Sequence, residues 1–147
     1  MTYDIAIIGA GIAGAALAAE VAPHASILIL EAEEAAGYHA TGRSAAFWEE
    51  TYGGPGVQPL TAASRSLLDA GGFLQPLGSL HIGREEERGQ IDAMLEQFAG
   101  SGVDLSLVDP RERIRGLRPE WSLAIWEPTC AYIDVAALHA AALARAK

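Results

Sequence analysis

The chain has 147 residues, half of them apolar, so a core of one domain's size is available, although alanine supplies much of that count. Nineteen acidic against ten basic residues give a formal net charge of −9. That balance disfavours nucleic acid or an anionic membrane surface as partner, yet leaves room for a dinucleotide, whose phosphates are held by local N–H groups.

Tyr3 to Ile8 is a short, β-branched and almost wholly apolar run, the pattern of a strand buried on both faces in a parallel sheet. Gly9-Ala10-Gly11-Ile12-Ala13-Gly14 follows at once, and the alanine-rich stretch Ala15 to Ala22 predicts a helix. A second apolar strand, Ile27 to Leu30, ends on Glu31. In a G-x-G-x-x-G turn the first glycine allows the tight turn, the second lets a pyrophosphate approach the backbone, and the third lets helix and strand pack closely. The helix start offers unpaired N–H groups and a positive dipole end. Glu31 is placed to accept hydrogen bonds from an adenosine ribose, and its charge argues against a 2′-phosphate there, hence against NADP. Strand, glycine turn, helix, strand and acid agree on a dinucleotide-binding unit.

Ile5 to Ala19 is uncharged and of signal-peptide length. Asp4 precedes it where a secretory signal has lysine or arginine, and the nucleotide-binding reading explains its three glycines. Cys130 is the only cysteine, so no disulfide forms within the chain and a reducing compartment fits. The expected location is the cytoplasm.

Glu33 to Gly42 reads as a loop, and Arg43 to Trp48 as the opening of a short helix. Gly53-Gly54-Pro55-Gly56 is a turn; Val57 to Ala70 predicts a helix ended by Gly71-Gly72. A short strand is expected around Ser79 to Ile82. Glu85 to Ala99 predicts an amphipathic helix, with Ile91, Met94, Leu95 and Phe98 at i, i+3, i+4 and i+7. Leu105 to Val108 predicts a strand, Asp109-Pro110 an N-cap and first helical residue, and Leu123 to Trp126 an extended segment. Asp134 caps a final helix carrying Val135, Leu138 and Ala142 on one face. Between Glu31 and that helix lies mixed helix and short strand, not the third parallel strand of a plain βαβαβ half.

Taken together, these segments resemble the N-terminal part of the D-amino acid oxidase (DAO) family of FAD-dependent oxidoreductases, which includes glycine and sarcosine oxidases. The motifs that carry the resemblance are DIAIIGAGIAG at Asp4 to Gly14, Glu31, and GYHATGRSAAFWEETYG at Gly37 to Gly53. PLGSLHIG at Pro76 to Gly83 and EPTCAYIDVAALHAAALARA at Glu127 to Ala146 match more loosely. The resemblance implies an α/β fold: a Rossmann-like FAD/NAD(P)-binding βαβ unit with an inserted, incomplete α+β substrate-type domain. It divides the chain into residues 1–75 of the FAD-binding domain, a partial substrate-type region at 76–132, and a helix at 133–147 returning to the FAD-binding domain.

By the same resemblance Gly9, Gly11, Ile12, Ala13, Gly14 and Glu31 hold the ADP half of FAD, and Thr41, Arg43, Ser44 and Ala45 form a second contact region near pyrophosphate and flavin. Arg43 suits phosphate charge and Ser44 offers a compact hydrogen-bond donor. Family members oxidise a C–N bond of an amino acid or amine by hydride transfer to flavin, so no acid–base residue is required here and the catalytic residues are unassigned. The substrate-anchoring residues belong to the family's C-terminal half. The chain is therefore expected to be an N-terminal, truncated portion, not catalytically complete alone. The alternative is a non-catalytic nucleotide-binding fragment or subunit that needs a complementary C-terminal chain; an NAD-linked dehydrogenase fits less well.

His24, His81 and His139 have no i,i+4 partner and no accompanying cysteine pair, so no metal site is expected. His39 does not match the positions at which relatives attach flavin covalently. Cys130 reads as a plain buried thiol, Glu85 to Glu87 as a solvated first helical turn, and Trp48, Trp121 and Trp126 as core aromatics.

Overall fold

The structure, a computed structural model, describes residues 2–147; Met1, the first residue of the nucleotide-binding unit read from sequence, lies outside them. In chain order the first elements are β1 (Ile5–Ile8), α1 (Ile12–Val21), β2 (Ile27–Leu30), β3 (Phe47–Trp48), α2 (Gln58–Ala70) and β4 (Leu74–Pro76). They are followed by β5 (Ser79–Arg84), α3 (Arg88–Gln97), β6 (Ser106–Val108), β7 (Trp121–Glu127), β8 (Ala131–Ile133) and α4 (Val135–Arg145). The chain forms two compact units, one of Met1–Ala46, Leu68–Phe73 and Ile133–Lys147, the other of Phe47–Leu67 and Leu74–Tyr132.

In the first unit β1 and β2 pair in parallel, Ile5 opposite Ile27 and Ile8 opposite Leu30, with α1 as the connection. α1 and α4 meet through small side chains: Ala15, Ala19 and Ala142 form a buried cluster with Leu143 against it. Alanines bury little area each, but they let two backbones approach closely. The expectation that β1 is buried on both faces is not met. Ile7 is buried and faces α1, where a Cβ on Gly14 would lie 3.3 Å from Ile7 Cγ2. Ala6 and Ile8 alternate onto the other face, and Ile8 is 89% exposed.

In the second unit β5, β7 and β6 form an antiparallel sheet in that order. The apolar stripe of α3 packs on it: Ile91, Leu123 and Ile125 are its buried centre, flanked by Met94, Leu95 and Leu105. The helical period read from Ile91, Met94, Leu95 and Phe98 thus marks the core face. The segment begins as a 3₁₀ turn, Glu85–Glu87, in which the Glu87 carboxylate accepts the Arg84 N–H at 2.8 Å.

The helix expected from Arg43 to Trp48 is replaced by a 3₁₀ turn, Thr41–Arg43, and extended chain leading into β3. Phe47 pairs with Tyr132 and Trp48 with Ala131, so cross-strand pairing overrides local helix preference. Strands β4 and β8, where no element is expected from sequence, join β3 in the order β3-β8-β4. Among the described residues no helix is long and apolar enough to cross a membrane.

Candidate nucleotide-binding site

The glycine loop leaves β1 and is held at several of its backbone groups. Gly9, at φ +95°, donates its N–H to Leu30 O at 2.7 Å, tying the loop to the end of β2. Ala10 N–H donates to Glu31 Oε2 at 2.7 Å, while Ala10 O accepts from His139 Nε2 at 2.7 Å. Gly11 is the N-cap of α1 and carries no side chain to cap it. Ile12 N–H donates instead to Thr41 Oγ1 at 3.0 Å. The first intrahelical bond runs from Ala15 N–H to Gly11 O at 2.9 Å, so Ala13 and Gly14 present N–H groups that have no acceptor within the helix. A Cβ on Gly14 would lie 2.0 Å from Gly9 O, which is why loop and helix can touch backbone to backbone only with glycine there.

Glu31 closes the outer side of the loop. Besides Ala10, it accepts from Ala32 N–H at 2.8 Å and Glu33 N–H at 3.1 Å through Oε1. The Ala10 N–H, then the Glu33 N–H, hold its carboxyl below the usual carboxylate range. The side chain is exposed and ionised at neutral pH, with lone pairs to spare for a ribose hydroxyl.

Of the second contact region, Thr41 reaches the start of α1, and a Cβ on Gly11 would lie 3.1 Å from its Oγ1. Ser44 is extended and, with Ile12, Ala40, Thr41, Ala46, Ile133, Val135 and Leu138, lines a cavity of about 290 Å³. Arg43 lies over the Tyr38 ring, 5.1 Å from its centroid, and Ala45 is exposed. The structure thus gathers Gly9 to Gly14, Glu31 and Thr41 around one helix N-terminus, while the Arg43 guanidinium stacks on Tyr38.

Two histidines read as isolated have partners. His139, 9% exposed, sits under the glycine loop, and a Cβ on Gly37 would lie 2.9 Å from its ring. His81 approaches Glu49 and Glu127. One sequence signal for His139 is its place next to Leu138 on an otherwise alanine- and leucine-rich helix. Cys130 is buried, and burial, then the charges of Glu49 and Glu127, push its thiol up to about 11.

A parallel βαβ unit with a glycine turn, a helix start whose Ala13 and Gly14 N–H groups have no helical acceptor, and an acid at the tip of the second strand defines a dinucleotide-binding fold. Residues 4–147 match the family model described as DAO, FAD dependent oxidoreductase, and the chain belongs to that FAD-dependent family. Its fold is similar to that of glycine oxidase from Geobacillus kaustophilus, at 23% identity and a TM-score of 0.82 over 98% of this chain and 44% of that one. Glycine oxidase from Bacillus cereus gives 22% identity and 0.79 over 99% and 44%. The L-α-glycerophosphate oxidase from Mycoplasma pneumoniae, determined with FAD bound, gives 16% and 0.81 over 99% and 42%. The chain therefore spans less than half the length of these structures.

Proposed function

We propose that this chain forms the FAD-binding, N-terminal portion of an oxidoreductase that oxidises a C–N bond of a small amine or amino acid in the cytoplasm. The observation that supports it most directly is the start of α1, where the Ala13 and Gly14 N–H groups have no acceptor within the helix beside a glycine N-cap, within a chain of an FAD-dependent family. Gly9, Gly11, Ile12, Ala13 and Gly14 form the loop and first turn that a pyrophosphate would approach, with the Ala13 and Gly14 N–H groups as the donors left without a helical acceptor. Glu31 offers its carboxylate to a ribose. Thr41, Arg43, Ser44 and Ala45 form the second contact region, with Arg43 supplying positive charge and Ser44 a hydroxyl. The flavin, when bound, supplies the chemistry of accepting a hydride from the carbon that bears the nitrogen.

A second reading is favoured by the exposed apolar face of the parallel sheet, where Ile8 is 89% and Leu30 50% exposed. In it the chain is a non-catalytic nucleotide-binding subunit that acts with a complementary C-terminal chain.

Titration with FAD, followed by flavin absorbance and fluorescence with NAD as control, tests the first reading. Saturable FAD binding without an NAD response supports it. Gly11 has φ −72°, so valine is allowed there conformationally, and Gly11→Val acts through bulk beside Thr41. It should weaken FAD binding by at least about tenfold, on the scale of one lost phosphate approach. Binding of NAD alone would overturn the reading, and binding of neither would favour the subunit that needs its complement.

A further inference from the structure

We propose that Glu49, His81 and Glu127 form a binding site for one divalent cation of the zinc type, independent of the nucleotide site. All three belong to the second unit. Glu127 ends β7 opposite Ser79 of β5, and His81 lies two residues further along β5, so Glu127 and His81 stand diagonally on one sheet face. Glu49 directly follows β3.

The geometry of the donor atoms points to a metal. His81 Nε2 lies 3.5 Å from Glu49 Oε1 and 3.6 Å from Glu127 Oε2, and the three ligand atoms all fall within 4.8 Å of one another. Zinc bonds of about 2.0–2.2 Å in a tetrahedron place ligand atoms roughly 3.3–3.6 Å apart. Two of the three spacings already have that value, and Glu49, whose side chain is 18% exposed, is able to close the third.

The site is held in place before any ion arrives. Glu127 is fully buried, and the Glu50 N–H donates to its Oε1 at 2.7 Å while the Thr51 hydroxyl donates to Oε2 at 2.6 Å. These bonds fix the carboxylate and the turn that carries Glu49, as outer partners do for metal-ligating carboxylates. Two carboxylates and a neutral imidazole carry two negative charges, which a dication neutralises. One nitrogen and two oxygen donors suit zinc or manganese better than soft metals. Glu49 also lines a cavity of about 310 Å³ with Phe47, Leu77, Gly78, Ser79, Leu80 and Cys130.

Calorimetric titration of the protein with Zn²⁺, and Co²⁺ titration read by visible d–d absorption, test the proposal without flavin. One equivalent should bind saturably. Glu49→Gln and His81→Gln should each weaken the Kd by at least about tenfold, while Cys130→Ser and His39→Gln leave it unchanged. Glu49→Gln touches no backbone hydrogen bond, so its unchanged far-UV circular dichroism separates ligand loss from unfolding. Absence of saturable binding, affinity unchanged from the native chain in either Gln variant, or loss of binding in Cys130→Ser would each overturn the site.

Discussion

His139 Nε2 lies 2.7 Å from the carbonyl oxygen of Ala10, joining α4 to the glycine loop across 129 positions of sequence. A carbonyl only accepts, so Nε2 carries the proton and the imidazole is the donor. Both residues are buried, and the bond satisfies the carbonyl of a loop residue whose own N–H is already given to Glu31. His139→Ala leaves the Ala10 oxygen without its donor. It should lower the unfolding free energy by about 1–3 kcal/mol, the penalty of an unsatisfied buried acceptor, with weaker FAD binding alongside. Chemical denaturation checks it, and an unchanged midpoint would show that the carbonyl finds another donor.

Gly14→Ala sets two effects against each other. Alanine is favoured over glycine inside a helix by about 1 kcal/mol. Its Cβ, however, would lie 2.0 Å from Gly9 O and 3.2 Å from Gly9 C, both backbone atoms of the loop that cannot swing aside. Overpacking of this kind costs about 1–3 kcal/mol, so sterics prevail. The variant should melt below the native chain in a thermal scan, and an equal or higher Tm would mean that α1 slides to make room.

The parts of this fold that sequence revealed are those fixed by neighbouring residues. The order of strand, glycine turn, helix and acid from Ile5 to Glu31 is local chemistry, and β2 spans the residues read for it, Ile27–Leu30. The amphipathic stripe of α3 and the Asp134 cap are equally local. What sequence did not reveal depends on distant partners. β3 is two residues long and exists because Phe47 meets Tyr132. The donor role of His139 and the grouping of His81 with Glu49 and Glu127 come from contacts between remote segments, for which a lone histidine gives no periodic signal.

Asp134 Oδ1 accepts the Ala137 N–H at 2.9 Å, an N-cap bond at the start of α4. α4 carries both Ala142, packed on α1, and His139. Loss of the cap by Asp134→Ala should destabilise the chain by about 0.5–2 kcal/mol. Asp134→Asn or Asp134→Ser should restore most of that stability, because either side chain still presents an oxygen to the same N–H. Failure of both to rescue in denaturant titration would place the loss elsewhere than the cap.

Glu31 gives the chain an acid-sensitive element. Its carboxylate accepts three N–H bonds, from Ala10, Ala32 and Glu33, and its pKa is lowered in the fold from an ordinary value of 4.5, first by the Ala10 N–H. His39, paired with Glu33 at 2.7 Å, adds a smaller contribution in the same direction. A group depressed in the folded state stabilises it fully above its unfolded pKa, and that stability is lost as pH falls through the folded value. Glu31 therefore contributes in full above about pH 4.5 and progressively less in more acid solution. Glu31→Gln, which keeps an acceptor oxygen but has no charge to lose, should be less stable than the native chain at neutral pH. The two midpoints should converge as pH drops below 4.5. A gap of constant size across that range would show that the Glu31 charge is not what holds the Ala10 peptide.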